Sequence, residues 1–154
     1  MDTTGDDLQL RIARSLDEIP VRTLYRIGRL RQEVFVVEQE CVYLDLDGRD
    51  LEPGAVQLWF EAPDGTVAAS VRILREHGGR PGLRSIGRVV THPDFRGRGI
   101  AARLVEAAIA ECSGDPILIH AQSYLTEWYA RFGFAQDGEE FLEDGIPHTP
   151  MSLG

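Results

Sequence analysis

The chain has no lysine: all 16 of its basic side chains are arginine, set against 25 acidic ones for a net charge of −9. A phosphate loop of the Gly-x-x-x-x-Gly-Lys-Ser/Thr type is excluded, because its ammonium is missing. The charge balance argues against a nucleic-acid backbone as partner, since a polyanion needs a basic surface. Arginine without lysine suits a few local anion sites better than a broad basic face. Cysteine is also scarce. Cys41 and Cys112 lie far apart without metal-ligand spacing, so no metal is expected and two reduced thiols in a cytoplasmic protein are the default. No apolar run approaches the roughly 20 residues of a membrane span. Met1 to Asp7 is acidic and polar, the opposite of a secretory leader, and residues 1–7 are expected as a disordered lead. No repeat, linker or low-complexity segment is visible.

What is present suits one domain over residues 8–154. The chain has 154 residues and is 43% hydrophobic, enough for one core. Leu8 to Arg14 alternates apolar and polar residues, as a half-buried strand does. Ser15 followed by Glu18 resembles a capping box, with Pro20 in the first turn of the helix after it. Leu24, Ile27, Leu30 and Val34 then form one helical stripe. Residues 31–39 end that helix or bend into a second one. Residues 43–54 read as a solvated acidic loop or a substrate-facing rim. Calcium does not fit them, because Gly48 is the fourth residue from Asp45 and a calcium loop needs its glycine sixth. Strands follow at 56–61 and 67–74, joined by a turn at 63–66.

A further strand at 85–91 leads through His92-Pro93-Asp94-Phe95 to Arg96-Gly97-Arg98-Gly99-Ile100-Ala101, which opens an amphipathic helix to Cys112. Strand, glycine-rich turn and helix start together suit a diphosphate. First-turn N–H groups have no partner within the helix, and glycine removes the Cβ that would keep an anion away. As a dinucleotide fingerprint the stretch fits only the variant Gly, Gly, Ala at 97, 99 and 102. The bland alternative is an ordinary surface turn. Beyond it come a strand at 117–121, a helix capped by Ser123 with Leu125, Trp128, Tyr129 and Phe132 on one face, and a stop at Gly133. A strand at 134–136, an acidic hairpin region and a last edge strand from His148 to Leu153 complete the chain. This order predicts an α/β domain with a mixed, mostly antiparallel sheet and helices on both faces.

Three features together resemble the GNAT superfamily of acyl-CoA-dependent N-acyltransferases. They are Arg96-Gly97-Arg98-Gly99-Ile100-Ala101, the strand ending Val89-Val90-Thr91-His92-Pro93 before it, and Trp128-Tyr129-Ala130-Arg131-Phe132-Gly133-Phe134 downstream. Arg31 to Gln39, Asp45 to Gly48 and Glu143 to His148 are similar to the ElaA-like branch, so the resemblance spans about residues 24 to 151. One departure is Gln122, where many members have Asn, and Trp128 stands for the usual Phe.

The resemblance implies acetyl-CoA as acyl donor and a small-molecule or peptide amine as acceptor. Its diphosphate would meet the backbone of Gly97 and Arg98 to Ala101, with Arg96 supporting the turn. Its pantetheine would pair with Val89, Val90 and Thr91 in a gap between splayed strands, near Gln122. The N–H of Val90 is then the expected oxyanion donor, and Tyr129 the expected proton donor to the departing thiolate. Glu33 and His120, with His92 and His148 beside them, are the titratable candidates for the base, and a water chain could replace them all. A CoA-binding module without turnover is the alternative function, an ordinary nucleotide-binding domain a more distant one, and a homodimer is left open.

Overall fold

The computed structural model describes residues 7–154, so the lead expected over 1–7 lies outside them, Asp7 apart. Eight strands form one sheet: β1 Gln9–Ala13, β2 Val56–Glu61, β3 Val67–Arg75, β4 Arg84–Thr91, β5 Ile117–Gln122, β6 Ala135–Gln136, β7 Phe141–Glu143 and β8 Ile146–Leu153. Their order is β1-β2-β3-β4-β5-β8-β6, with β7 also beside β8. Only β4 and β5 run parallel. The α-helices are α1 Val21–Arg31, α2 Ile100–Glu111 and α3 Thr126–Ala130. The expected mixed, mostly antiparallel α/β domain is what the chain forms. No helix among the described residues is long and apolar enough to cross a membrane.

The two faces of the sheet carry separate cores. On one, Ile100, Leu104, Ala108 and Cys112 of α2 are fully buried against Leu58, Phe60, Val71 and Ile73. On the other, Ile27, Leu30 and Val34 cover Trp59, Val67 and Val90. The change of cluster between Leu58, Trp59 and Phe60 is the period-two alternation of a strand covered on both sides.

Several local expectations are corrected. Leu10 and Ile12 stay 40% and 37% exposed, because β1 is an edge strand and the helices cover the strands further in. Ser15 caps only a 3₁₀ turn, Leu16–Glu18, and Glu18 accepts the N–H of Arg14 rather than closing a capping box. Pro20 stands just before α1 instead of inside its first turn. Past Arg31 the helix neither ends nor breaks but widens to a π-helix, Gln32–Glu38. Strand β8 is not an edge: β5 flanks one side, while β7 and β6 share the other. Pro150 falls in the interval between β7 and β6, where its carbonyl accepts the Asp137 N–H.

The largest correction concerns the acidic loop at 43–54: much of it is exposed and Tyr43, Leu44, Asp47 and Arg49 line a cavity, as a rim would, but its aspartates are paired with arginines rather than free to attract a cation. Arg31 is 2% exposed, and Asp45 5%. Arg31 Nε donates to Asp45 at 2.8 Å, its Nη1 to Asp50 at 2.8 Å, and its Nη2 to the Asp45 carbonyl at 3.0 Å. Arg72 on β3 clamps Asp47 with bonds of 2.9 and 3.2 Å. Arg88 on β4 reaches Asp45 at 2.9 Å and Asp47 at 3.2 Å. Gln57 donates to Asp50 at 2.7 Å. Burial opposes ionisation of Asp50, but hydrogen bonds and charge from Arg31, with the charge of Arg72, outweigh it, and the carboxyl sits below its ordinary value. Asp47 is lowered in the same way: burial opposes, while Arg72, the Arg49 N–H and Arg88 prevail.

Asp45→Ala should therefore cost about 3–5 kcal/mol in urea unfolding, because it strands a buried guanidinium. Depressed folded-state carboxyls stabilise above their unfolded pKa, and that contribution is lost as pH falls through the folded value. Unfolding measured at decreasing pH should show wild-type stability dropping in the acid range below the ordinary carboxylate pKa. Asp50→Asn should flatten that drop.

Candidate active site

Strands β4 and β5 pair only at Arg84 with Ile117 and Ser85 with Leu118, then diverge. Next to the divergence β4 carries a bulge. Gly87 faces Arg72 and Val90 faces Ser70, so Arg88 and Val89 together oppose one residue of β3. Arg88 has φ 53°, a left-handed conformation that a bulge accommodates and that Asp45 and Asp47 hold in place.

The extra residue reverses which amides face the gap. Before the bulge the even positions look toward β5, as the Arg84 N–H to Pro116 carbonyl bond of 2.9 Å establishes. After it, His92 N–H donates to Ala68 at 2.8 Å, so by antiparallel alternation the N–H of Val90 turns toward Ser70. The amides of Val89 and Thr91 are the ones left facing the gap. The expectation for the Val90 N–H fails on this parity, although its neighbours fit the same purpose.

Beyond β4, Pro93–Phe95 makes a 3₁₀ turn, and Gly97 and Gly99 take φ of 77° and 71°. A Cβ at either glycine would meet nothing within 4 Å, so the backbone here borders open space. Gly99 is the N-cap of α2 and supplies no side chain, which leaves the first-turn N–H groups free for an anion. Arg96 braces the turn from behind. It donates to both Glu38 oxygens at 2.7 and 2.6 Å and to the Thr91 carbonyl at 3.4 Å. Its guanidinium is thereby committed to the π-helix end, so the groups this turn leaves open are backbone N–H groups. Arg98 lies over the Phe95 ring at 5.3 Å.

Two cavities meet at the divergence. One of about 390 Å³ runs along Gly97, Gly99, Ile100 and Ala101 to Trp128 and Tyr129. The other, about 970 Å³, lies on the α1 side and extends to Glu143 and His148. Val89, Thr91, Arg96, Leu125 and Tyr129 line both. Tyr129 is 8% exposed, its ring edge-on to Trp128 at 4.9 Å. Burial pushes its phenol up to about 12, so it is a neutral donor across the physiological range. The segment bearing it starts differently from the expectation. Ser123 opens a 3₁₀ turn and is not the cap of α3; its hydroxyl instead pairs with that of Thr149 at 2.8 Å, tying the segment to β8.

Residues 32–154 match the family model of the acetyltransferase (GNAT) domain. The chain belongs to the GNAT family. It is 50% identical over 134 residues to UPF0039 protein Rv2851c of Mycobacterium tuberculosis, covering 87% of this chain and 86% of that one. Its fold superposes on an acyl-CoA N-acyltransferase from Pseudomonas aeruginosa with TM-score 0.87 and 34% identity, over 96% and 99% of the two chains. Escherichia coli ElaA also gives TM-score 0.87, at 31% identity and the same coverage. GNAT-fold proteins bind acyl-CoA and are typically acyltransferases, and among the described residues no cluster suited to a metal ion occurs.

Against this GNAT frame the expected site residues divide. Val89, Thr91, Gly97, Gly99, Ile100, Ala101 and Tyr129 lie together along the smaller cavity. Gln122 and His120 line the larger one; Gln122 donates to Gln39 at 3.4 Å, and His120 sits edge-on to Phe141 at 5.1 Å. Glu33 is not brought to either cavity. It pairs with Arg29 at 3.0 Å one helical turn away, on the surface. Sequence reading missed Arg88 and Glu38, whose roles depend on a bulge and on a contact 58 residues distant.

A phenolate absorbance titration tests the burial of Tyr129. Tyr43 and Tyr129 both have pKa values raised to about 12, by burial in each case. Tyr129→Phe should remove one phenol from the most alkaline phase of the wild-type curve and leave the earlier phase unchanged.

Proposed function

We propose that this chain moves an acetyl or other short acyl group from acyl-CoA to a primary amine by direct attack, as an ElaA-like member of its family. The observation that carries this is the junction of the two cavities at Tyr129 and the turned amides of β4. The smaller cavity, running from the open N–H groups at Gly97 to Ala101, suits an anionic, extended donor. The larger cavity brings a second molecule to the same point from the opposite face of the sheet. That layout suits a bimolecular transfer without a covalent enzyme intermediate.

When bound, acyl-CoA supplies an electrophilic thioester carbonyl. The chain's own residues do the rest. First-turn amides of α2 hold the diphosphate. The gap-facing N–H groups of Val89 and Thr91 bind the pantetheine like an added strand and polarise the thioester oxygen, where negative charge develops. Tyr129, neutral up to about 12, donates its proton to the departing sulfur, whose intrinsic pKa is about 8.5. Leu125, Trp128 and Phe132 pack around it and exclude water.

Purified chain mixed with acetyl-CoA and a panel of primary amines should release free thiol. Tyr129→Phe should lower kcat about 100-fold while the calorimetric Kd for acetyl-CoA changes less than about threefold. Binding of acetyl-CoA without thiol release from any amine would favour a non-catalytic module instead.

A further inference from the structure

One part of the larger cavity's wall is formed by β5, β7, β8 and Asp144. His148 lies there, its side chain 10% exposed and its ring stacked on Phe141 at 5.9 Å. Its Nδ1 is 2.7 Å from the Ile146 carbonyl. A carbonyl oxygen only accepts, so in the neutral ring Nδ1 carries the proton and Nε2 presents a lone pair. Among the described residues, Nε2 has no hydrogen-bond donor. Glu143 stands beside it, its carboxylate oxygen 3.5 Å away and also only an acceptor. Two acceptors facing each other on a cavity wall call for a donor between or beside them. An ammonium, with three N–H groups and a positive charge, is that donor.

Charge elsewhere in the cavity agrees. Glu38 is paired with Arg96, Asp47 with Arg72 and Arg88, and Glu76 with Arg49. Glu143 and Asp144 are the lining carboxylates without an arginine partner. The other polar groups around this part of the wall are His120, Gln122, Gln39 and Cys41, whose Sγ donates to the Asp144 carbonyl at 3.7 Å. None of these fixes a base as well as His148. His120 has no hydrogen bond orienting its ring among the described residues. His92 is excluded as a cavity base because its Nδ1 accepts the Asp94 N–H at 3.0 Å and its ring packs on Phe95. His148 is also tied to the reacting side of the cavity. It faces Gln122 across the ladder, and its neighbour Thr149 bonds the segment that carries Tyr129.

Resting on the amine-acylation reading above, we propose that Glu143 and His148 receive the acceptor's ammonium and that His148 is the base that deprotonates it. The ammonium gives one proton to His148 Nε2. The freed lone pair forms the C–N bond at the thioester carbon as the C–S bond breaks. Sulfur leaves with its electron pair and takes the Tyr129 proton. The second nitrogen proton restores the Tyr129 hydroxyl, and His148 returns its own to water. The balance is one thioester and one ammonium to one amide, one thiol and one proton. Glu143 stabilises the imidazolium that forms.

The test uses whichever of spermidine, an arginine-rich peptide and an aminoglycoside the wild type acetylates fastest. His148→Gln keeps a polar side chain of similar reach but removes the base. It should lower kcat about 100-fold, abolish the acid limb of the kcat profile, and leave the acetyl-CoA Kd within about threefold. His120→Gln should retain the limb. Glu143→Gln, at an exposed position, should raise the amine KM about tenfold. A wild type that turns over while His148→Gln keeps kcat within about threefold overturns this assignment alone. If His148→Gln does not fold, an unmoved KM in Glu143→Gln overturns it. A wild type silent with every amine overturns the acylation reading and the base with it.

Discussion

Three arginines and three aspartates hold the working parts of this molecule in register. Arg31 comes from the end of α1, Arg72 from the middle of the sheet and Arg88 from the bulge in β4. Asp45, Asp47 and Asp50 come from one loop. Formal charge cancels within the set. A buried ion pair gains little over a well-packed apolar contact once desolvation is counted, so this network is poorly explained as a source of stability. It is better explained by direction. Each carboxylate accepts from donors on different elements, and only one relative placement of helix, loop and bulge satisfies them together.

That placement has a chemical consequence. Arg88 occupies a left-handed conformation with φ 53°, which costs energy for a residue with a Cβ. Asp45 and Asp47 bind its side chain, offsetting that cost. The bulge they secure changes the parity of β4, so the amides of Val89 and Thr91 face the gap that β5 leaves open. Without the extra residue, the amides of Arg88 and Val90 would face it. The donors of the site are thus set by a charge cluster that itself reaches the wall of the larger cavity.

Much of the fold was legible because its signals are local. The alternation at 56–61 and 67–74, the four-residue spacing from Ile100 to Cys112 and the stop at Gly133 each report a period or a turn that neighbouring residues decide. The turn at the start of α2 was legible for the same reason, since Gly97 and Gly99 take a backbone with positive φ. Failures came where the deciding partner is distant. The aspartates of the acidic loop looked unpaired because Arg31, Arg72 and Arg88 lie 14 to 43 residues from Asp45 or Asp47 in sequence. Strand β8 looked like an edge because nothing in its own residues says that β6 and β7 fold back onto it. Val90 looked like the oxyanion donor because a bulge leaves no period in sequence. Glu33 looked like a base because it sits among residues of the ElaA-like stretch, yet its side chain leaves the helix toward Arg29.

The absence of lysine now has a structural counterpart. Two cationic positions, buried at Arg31 and exposed at Arg96, ask for several donors in a plane. Arg31 makes four hydrogen bonds to two aspartates and one carbonyl, and Arg96 grips both oxygens of Glu38 while reaching back to Thr91. An ammonium at either place would offer three donors from one point and would lose its charge more readily when desolvated. Arginine keeps its charge in such surroundings: at Arg31 burial pulls the pKa down, but hydrogen bonds and charge from Asp50 and Asp45 outweigh it and leave the value raised. Among the described residues no arginine pairs with Glu143 or Asp144 on the wall of the larger cavity. The uncompensated carboxylates Glu143 and Asp144 are the feature on which the proposed ammonium site rests.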